Sequence, residues 1–172
     1  AYSASGITNN DIYLYTNANC TAPAAQTINA VGDTGYTLST AVDATTYSYQ
    51  VESTNSNGTT AISACSTAML IDETNPSAAS GQKISDDDPA DAHAAIADDS
   101  DIYVAWTAGS DSESGVENYT VKLYATNNCT GAIAEEVSTT DTNVVFENLA
   151  DGEYTAIVAI TDKAGNTLDS SC

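Results

Sequence analysis

The chain contains one unit written twice. Leu14-Tyr-Thr-Asn-Ala-Asn-Cys20-Thr21 aligns with Leu123-Tyr-Ala-Thr-Asn-Asn-Cys129-Thr130, and Asp33-Thr34 falls on Asp141-Thr142. Tyr47-Ser-Tyr-Gln-Val51 falls on Tyr154-Thr-Ala-Ile-Val158, and the register carries Gly58 onto Gly165 and Cys65 onto Cys172. A length of 172 residues permits one domain or two; self-similarity of this kind decides for two modules. Upstream, Ala1-Tyr2-Ser3-Ala4 sets against Ala105-Trp106-Thr107-Ala108, with a shorter loop before the next strand. The first copy therefore begins inside a strand, whereas the second is preceded by Asp101-Ile-Tyr-Val104 and a long lead-in. Cys65 is followed by Ser-Thr-Ala-Met-Leu-Ile71, and no residue follows Cys172. The expected organisation is a first module over 1–71 lacking its leading strands, an acidic linker and lead-in over 72–97, and a second module over 98–172 lacking its final strand.

Period-two alternation and turn residues place the strands of the second copy. Ile102 to Trp106 is one, and the polar stretch from Gly109 to Gly115 is a loop. Asn118 to Tyr124 is another strand, with Tyr119, Val121 and Leu123 on one face and Lys122 on the other. Asn143 to Phe146 and Glu153 to Thr161 follow, and a turn at Lys163-Ala-Gly-Asn166 leads to an edge strand. Tyrosine outnumbers phenylalanine ten to one, and long helix formers are scarce. Short strands at this spacing predict an all-β fold of two tandem antiparallel β-sandwich modules.

The Trp106 strand, the run Phe146-Glu-Asn-Leu149-Ala-Asp-Gly-Glu-Tyr154 and the turn Thr161-Asp-Lys-Ala-Gly-Asn166 resemble a fibronectin type III or bacterial Ig-like domain. The resemblance implies that Trp106 fills the core from an early strand. It also implies that Tyr154 closes a corner between two later ones, with Tyr2 and Tyr47 in those places in the first copy. The first copy departs from the pattern at Tyr2 and at Ala41, where the second has Leu149. Cys65-Ser66 and Asn75-Pro76 are similar to the cysteine step and linker that end such repeats in bacterial arrays.

Four cysteines at matching repeat positions argue for one bridge inside each unit, Cys20 to Cys65 and Cys129 to Cys172, out of three connectivities. Closing a loop of this size is worth about 4 kcal/mol in the chain-entropy model. The zinc alternative lacks both a Cys-x-x-Cys pair and a second histidine. Disulfides place the chain in an oxidising compartment, at the cell surface or outside the cell.

Against 24 acidic residues stand three lysines and no arginine, a net charge of −21. A nucleic-acid partner requires a basic footprint that is absent here. No apolar run approaches the roughly 20 residues of a membrane span. The acids cluster at Asp72 and Glu73, at Asp86 and Asp88, and at Asp111 and Glu113. Oxygen ligands on loops near a module junction suit calcium; solvation of a linker is the other reading, and no EF-hand spacing occurs. No other cofactor is implied. Asn-x-Thr sequons stand at Asn19, Asn57, Asn118 and Asn128, open to glycosylation in a host with the machinery. The single histidine, His93, sits in the linker, which leaves a nucleophilic triad no rigid support. The chain is expected not to be an enzyme.

Two functions fit. One is a structural stalk or extracellular filament whose partners are neighbouring modules or copies of itself, with strand addition from a neighbour completing the first module's sheet. The other is an adhesin or carbohydrate-binding module that recognises a host-surface protein or glycan, with Tyr13, Tyr15 and Tyr49 as a stacking platform.

Overall fold

The computed structural model describes residues 6–21, 23–31, 35–85 and 100–172. Of the residues singled out above, Tyr2, Asp86, Asp88 and His93 lie outside this set. The chain divides into two units, Ala1–Glu73 and Thr74–Cys172. Every regular element among the described residues is a strand, and every pairing is antiparallel.

The second unit has two layers. Strands β6 (Ser80–Ser85), β7 (Ile102–Thr107) and β10 (Asn143–Phe146) form a sheet in the order β10-β7-β6. Strands β8 (Val116–Tyr124), β9 (Ile133–Thr139), β11 (Thr155–Asp162) and β12 (Thr167–Asp169) form the other, in the order β12-β11-β8-β9. Side chains two apart on a strand share a face, and Val121 pairs with Val158 while Leu123 pairs with Ala156. These rows, with Tyr119 and Ile160, meet Val104, Trp106 and Phe146 from the other layer in one buried cluster. The Trp106 and Tyr119 rings meet edge to face with centroids 5.3 Å apart, the geometry their quadrupoles favour. Lys122 lies on the outer face, with Nζ 3.1 Å from Asp169 Oδ1.

The first unit repeats only one of these layers among its described residues. Strands β1 (Ile7–Tyr15), β2 (Gln26–Asn29), β3 (Thr45–Asn55) and β4 (Thr60–Ile62) run in the order β2-β1-β3-β4, which matches β9-β8-β11-β12 strand for strand. A further strand, β5 (Met69–Ile71), pairs with the start of β3. Under the repeat alignment Gly35 to Leu38 corresponds to β10, yet it is irregular. The reason lies in the ladder: β10 pairs with β7, and no strand of the first unit's described residues offers that pairing. A segment whose backbone groups have no ladder partner does not settle as a strand.

Three sequence expectations need correction. The span 72–97, read as linker and lead-in, contains β6, which pairs with β7 and belongs to the second unit. The acidic composition of the span hid the short neutral run Ser80-Gly-Gln-Lys-Ile-Ser85, and the unit boundary moves to Glu73/Thr74. Strand β9 was not anticipated, because Ile-Ala-Glu-Glu-Val-Ser-Thr is mostly exposed and lacks alternation; backbone pairing with β8 and a Thr120–Ser138 hydroxyl contact at 3.0 Å define it instead. The second unit also has its edge strand β12, so what it lacks relative to the first is the counterpart of β5.

Candidate functional site

The two units carry the same clasp. Disulfides join Cys20 to Cys65 and Cys129 to Cys172, with Cα separations of 5.8 and 5.9 Å. Both Cys20 and Cys129 have positive φ, 49° and 51°, a conformation that a residue with a Cβ holds only when its surroundings fix it. The fixing group is a hydroxyl on the neighbouring strand. Cys20 N–H donates to Ser48 Oγ at 3.3 Å, and that hydroxyl donates to the Asn17 carbonyl at 2.6 Å. In the second unit Cys129 N–H donates to Thr155 Oγ1 at 2.9 Å, and Thr155 donates to the Thr126 carbonyl at 2.9 Å. Ser48 and Thr155 are aligned residues, each directly after the aligned Tyr47 or Tyr154.

Three more devices recur. Val51 N–H donates to Ser63 Oγ and Val158 N–H to Ser170 Oγ, both at 3.0 Å. The turn after β3 is held by Asn55 Oδ1, which accepts the N–H groups of Asn57 and Thr59 at 3.0 and 2.9 Å. The turn after β11 is held in the same way by Asp162 Oδ1, which accepts those of Ala164 and Asn166 at 2.8 and 2.9 Å. Finally, Tyr154 donates its hydroxyl to the Ala150 carbonyl at 2.8 Å, while the Tyr47 hydroxyl accepts the Val42 N–H at 3.1 Å. Each tyrosine thus fastens the chain just upstream of its own strand. None of these hydroxyl and Asx contacts was legible from type alone, although the hydroxyl after each aligned tyrosine was there to be noticed.

What separates the units is the face of the shared sheet. In the second unit Val121, Leu123 and Val158 are fully buried beneath β7 and β10. Their aligned counterparts Ile12, Leu14 and Val51 line an open groove of about 840 Å³. Tyr36, Tyr49 and Met69 add to its walls and are 50, 49 and 67% exposed. No residue lining it is charged, although the chain has 24 acidic side chains. Apolar surface of this kind left in water marks an interaction site.

The proposed tyrosine platform does not form. Leu14 pairs with Tyr49, Tyr13 with Gln50 and Tyr15 with Ser48, so strand alternation puts Tyr49 on the groove face and Tyr13 and Tyr15 on the opposite one. Tyr13 donates to Glu52 Oε2 at 2.7 Å, and that hydrogen bond, helped by partial desolvation and the carboxylate charge, raises its phenol above the ordinary value. Tyr15 is buried and donates to Gln50 Oε1 at 3.0 Å.

The acids divide between the units. Asp72 is buried in the first, where its carboxylate lies within 4.8 Å of that of Asp43, and Asp43 Oδ1 accepts the Glu73 N–H at 2.7 Å. In the second unit Asp111 Oδ1 accepts the N–H groups of Glu113, Ser114 and Gly115, at 3.0, 2.8 and 2.8 Å, and so folds the loop before β8. Asp162, which sequence reasoning passed over, is fully buried, and its carboxylate lies within 4.8 Å of Asp111. Burial pushes its carboxyl upward, but hydrogen bonds from the Asn166 side chain and from the backbone of Asn166, Ala164 and Gly165 outweigh burial and hold it below the usual aspartate range. Of the sequon asparagines, Asn19, Asn57 and Asn128 are exposed, and Asn118 is partly buried on β8.

No family model and no curated protein matches the chain. Among solved structures it is similar to the FN1-FN3 domains of chicken CNTN1, with a TM-score of 0.53 and 16% identity over 94% of this chain. The chain spans 54% of the length of that structure. The likeness establishes the fold: an all-β chain of antiparallel, fibronectin type III-like modules.

Proposed function

We propose that this chain is a segment of an extracellular structural stalk or fibre, built from β-sandwich modules in series that are each closed by their own disulfide. The observation that carries the reading is the duplication of the clasp. The disulfide, its positive-φ cysteine, the hydroxyl that fixes that cysteine and the Asx turn recur in both units, while no catalytic constellation recurs with them. Selection on both copies for covalent closure suits a chain that must survive proteases and tension outside the cell. In the filament form of this reading, a strand from a neighbour completes the first unit's open sheet. The adhesin alternative draws no support from Tyr13, Tyr15 and Tyr49, which do not share a face.

Immunogold electron microscopy of unpermeabilised source cells, with antibody against the intact chain, tests the proposal. Label along surface fibres or stalks is the expected result, and label confined to the cell interior refutes it. A glycan array probed with the chain is expected to stay blank; saturable binding to one glycan class would move the chain to the adhesin reading.

A further inference from the structure

The second unit shows what belongs on the open face of the first. We infer that the groove takes an extended strand with the pattern of β7, apolar at alternate positions and neutral on its inward side, contributed by another repeat of this kind. This deepens the strand-addition reading above and rests on it.

The aligned ladder sets the register. In the second unit β7 pairs with β10 so that Val104 stands opposite Val144 and Ile102 opposite Phe146. The repeat alignment puts Tyr36 in the place of Val144 and Leu38 in that of Phe146. An incoming strand therefore runs antiparallel to Gly35–Leu38, with its Val104-like residue opposite Tyr36 and its Ile102-like residue opposite Leu38. Those two positions and the Trp106-like one, two residues on, point inward onto Ile12, Leu14, Tyr49 and Val51. A strand of this kind satisfies the backbone of 35–38 and covers the apolar wall together, which a small apolar ligand cannot do. The uncharged lining rejects an acidic inward face, so the chain's own charge-rich segments are excluded as occupants.

The third inward position is specified more finely. Trp106 meets Tyr119 in the second unit, and the counterpart of Tyr119 is Asn10, whose Oδ1 accepts the Ser53 hydroxyl at 2.7 Å. Ser53 in turn replaces Ile160. This end of the groove is polar, and a tyrosine, with its hydroxyl directed there, fits it better than tryptophan. Tyrosine is also the residue, Tyr2, that the sequence alignment sets against Trp106.

The test joins a copy of Ser100–Thr107 carrying Trp106→Tyr to the amino end of the full chain through a flexible Gly-Ser linker, which gives an effective concentration in the millimolar range. A control carries the same strand with Ile102→Asp and Val104→Asp in the added copy. Hydrogen exchange read at the amides of Gly35 to Leu38 is expected to slow by at least about tenfold with the first strand and to stay unchanged with the control. Equal protection by both strands overturns the inference while leaving strand addition standing. Protection by neither overturns both, and leaves the stalk reading to its own test. A concentration-dependent dimer of the unmodified chain with 35–38 already protected assigns the groove to a second copy and likewise overturns the inference.

Discussion

Removing each disulfide in turn separates covalent closure from packing. The bridges close loops of nearly equal length, with sequence separations of 45 and 43. In the chain-entropy model each is worth about 4 kcal/mol, and the two differ by less than about 0.1 kcal/mol. The packing beneath them is unequal. The buried apolar cluster, with Val104, Val121, Leu123, Phe146 and Ile160 at its centre, lies wholly in the second unit, whereas the buried apolar side chains of the first unit's described residues are Tyr15 and Ala30. A domain holds roughly 5–15 kcal/mol in all, so loss of about 4 kcal/mol is survivable only where a core remains. The double variant Cys129→Ser/Cys172→Ser is expected to keep a folded second unit that melts roughly 20 °C lower. The double variant Cys20→Ser/Cys65→Ser is expected to lose amide protection throughout β1 and β3 at room temperature, with the second unit unaffected. Residue-resolved hydrogen exchange on both variants gives the answer. A first unit that stays protected without its bridge, or equal losses in the two units, would refute the argument that the bridge substitutes there for the missing layer.

Further outcomes follow from single side chains. Because the folded Asp162 carboxyl lies below the ordinary value of about 3.9, its stabilisation is complete above that pH and is lost as pH falls through the lower folded value; acid titration of the second unit's melting should show this limb, and Asp162→Asn should flatten it. Gly109→Ala places a Cβ 2.1 Å from the Ser77 carbonyl oxygen and 2.8 Å from Ile160 Cδ1, and should cost about 2 kcal/mol in urea unfolding of the second unit. Trp106 Nε1 is buried with no acceptor among the described residues. Trp106→Phe removes that donor along with some volume, so it should cost about 1 kcal/mol against about 4 kcal/mol for Trp106→Ala.

How much of this was legible in the sequence depends on whether the signal was duplicated. The second unit's central strands announced themselves, because Tyr119, Val121 and Leu123 alternate with polar neighbours and every inward position is buried. Strand β9 did not, since an edge strand held by backbone pairing needs no apolar face. The open groove was legible only by comparison: nothing in Ile12-Tyr-Leu14 says that its face is uncovered, but the alignment leaves the counterparts of β6 and most of β7 without residues. Asp162 was hidden among two dozen acids, and only its burial and its two turn amides distinguish it. The tyrosine platform failed because residue type was read without the strand register that sends Tyr13 and Tyr49 to opposite faces.

Stretching single molecules between their ends, oxidised and then reduced, tests most directly whether the modules are separately closed by covalent bonds. Each bridge shortcuts its loop, and a taut chain spans about 3.4 Å per residue. With separations of 45 and 43, reduction is expected to add about 300 Å of contour length, released in two steps of nearly equal size. A single step of twice that size, or no difference between the oxidised and reduced chains, would contradict the account.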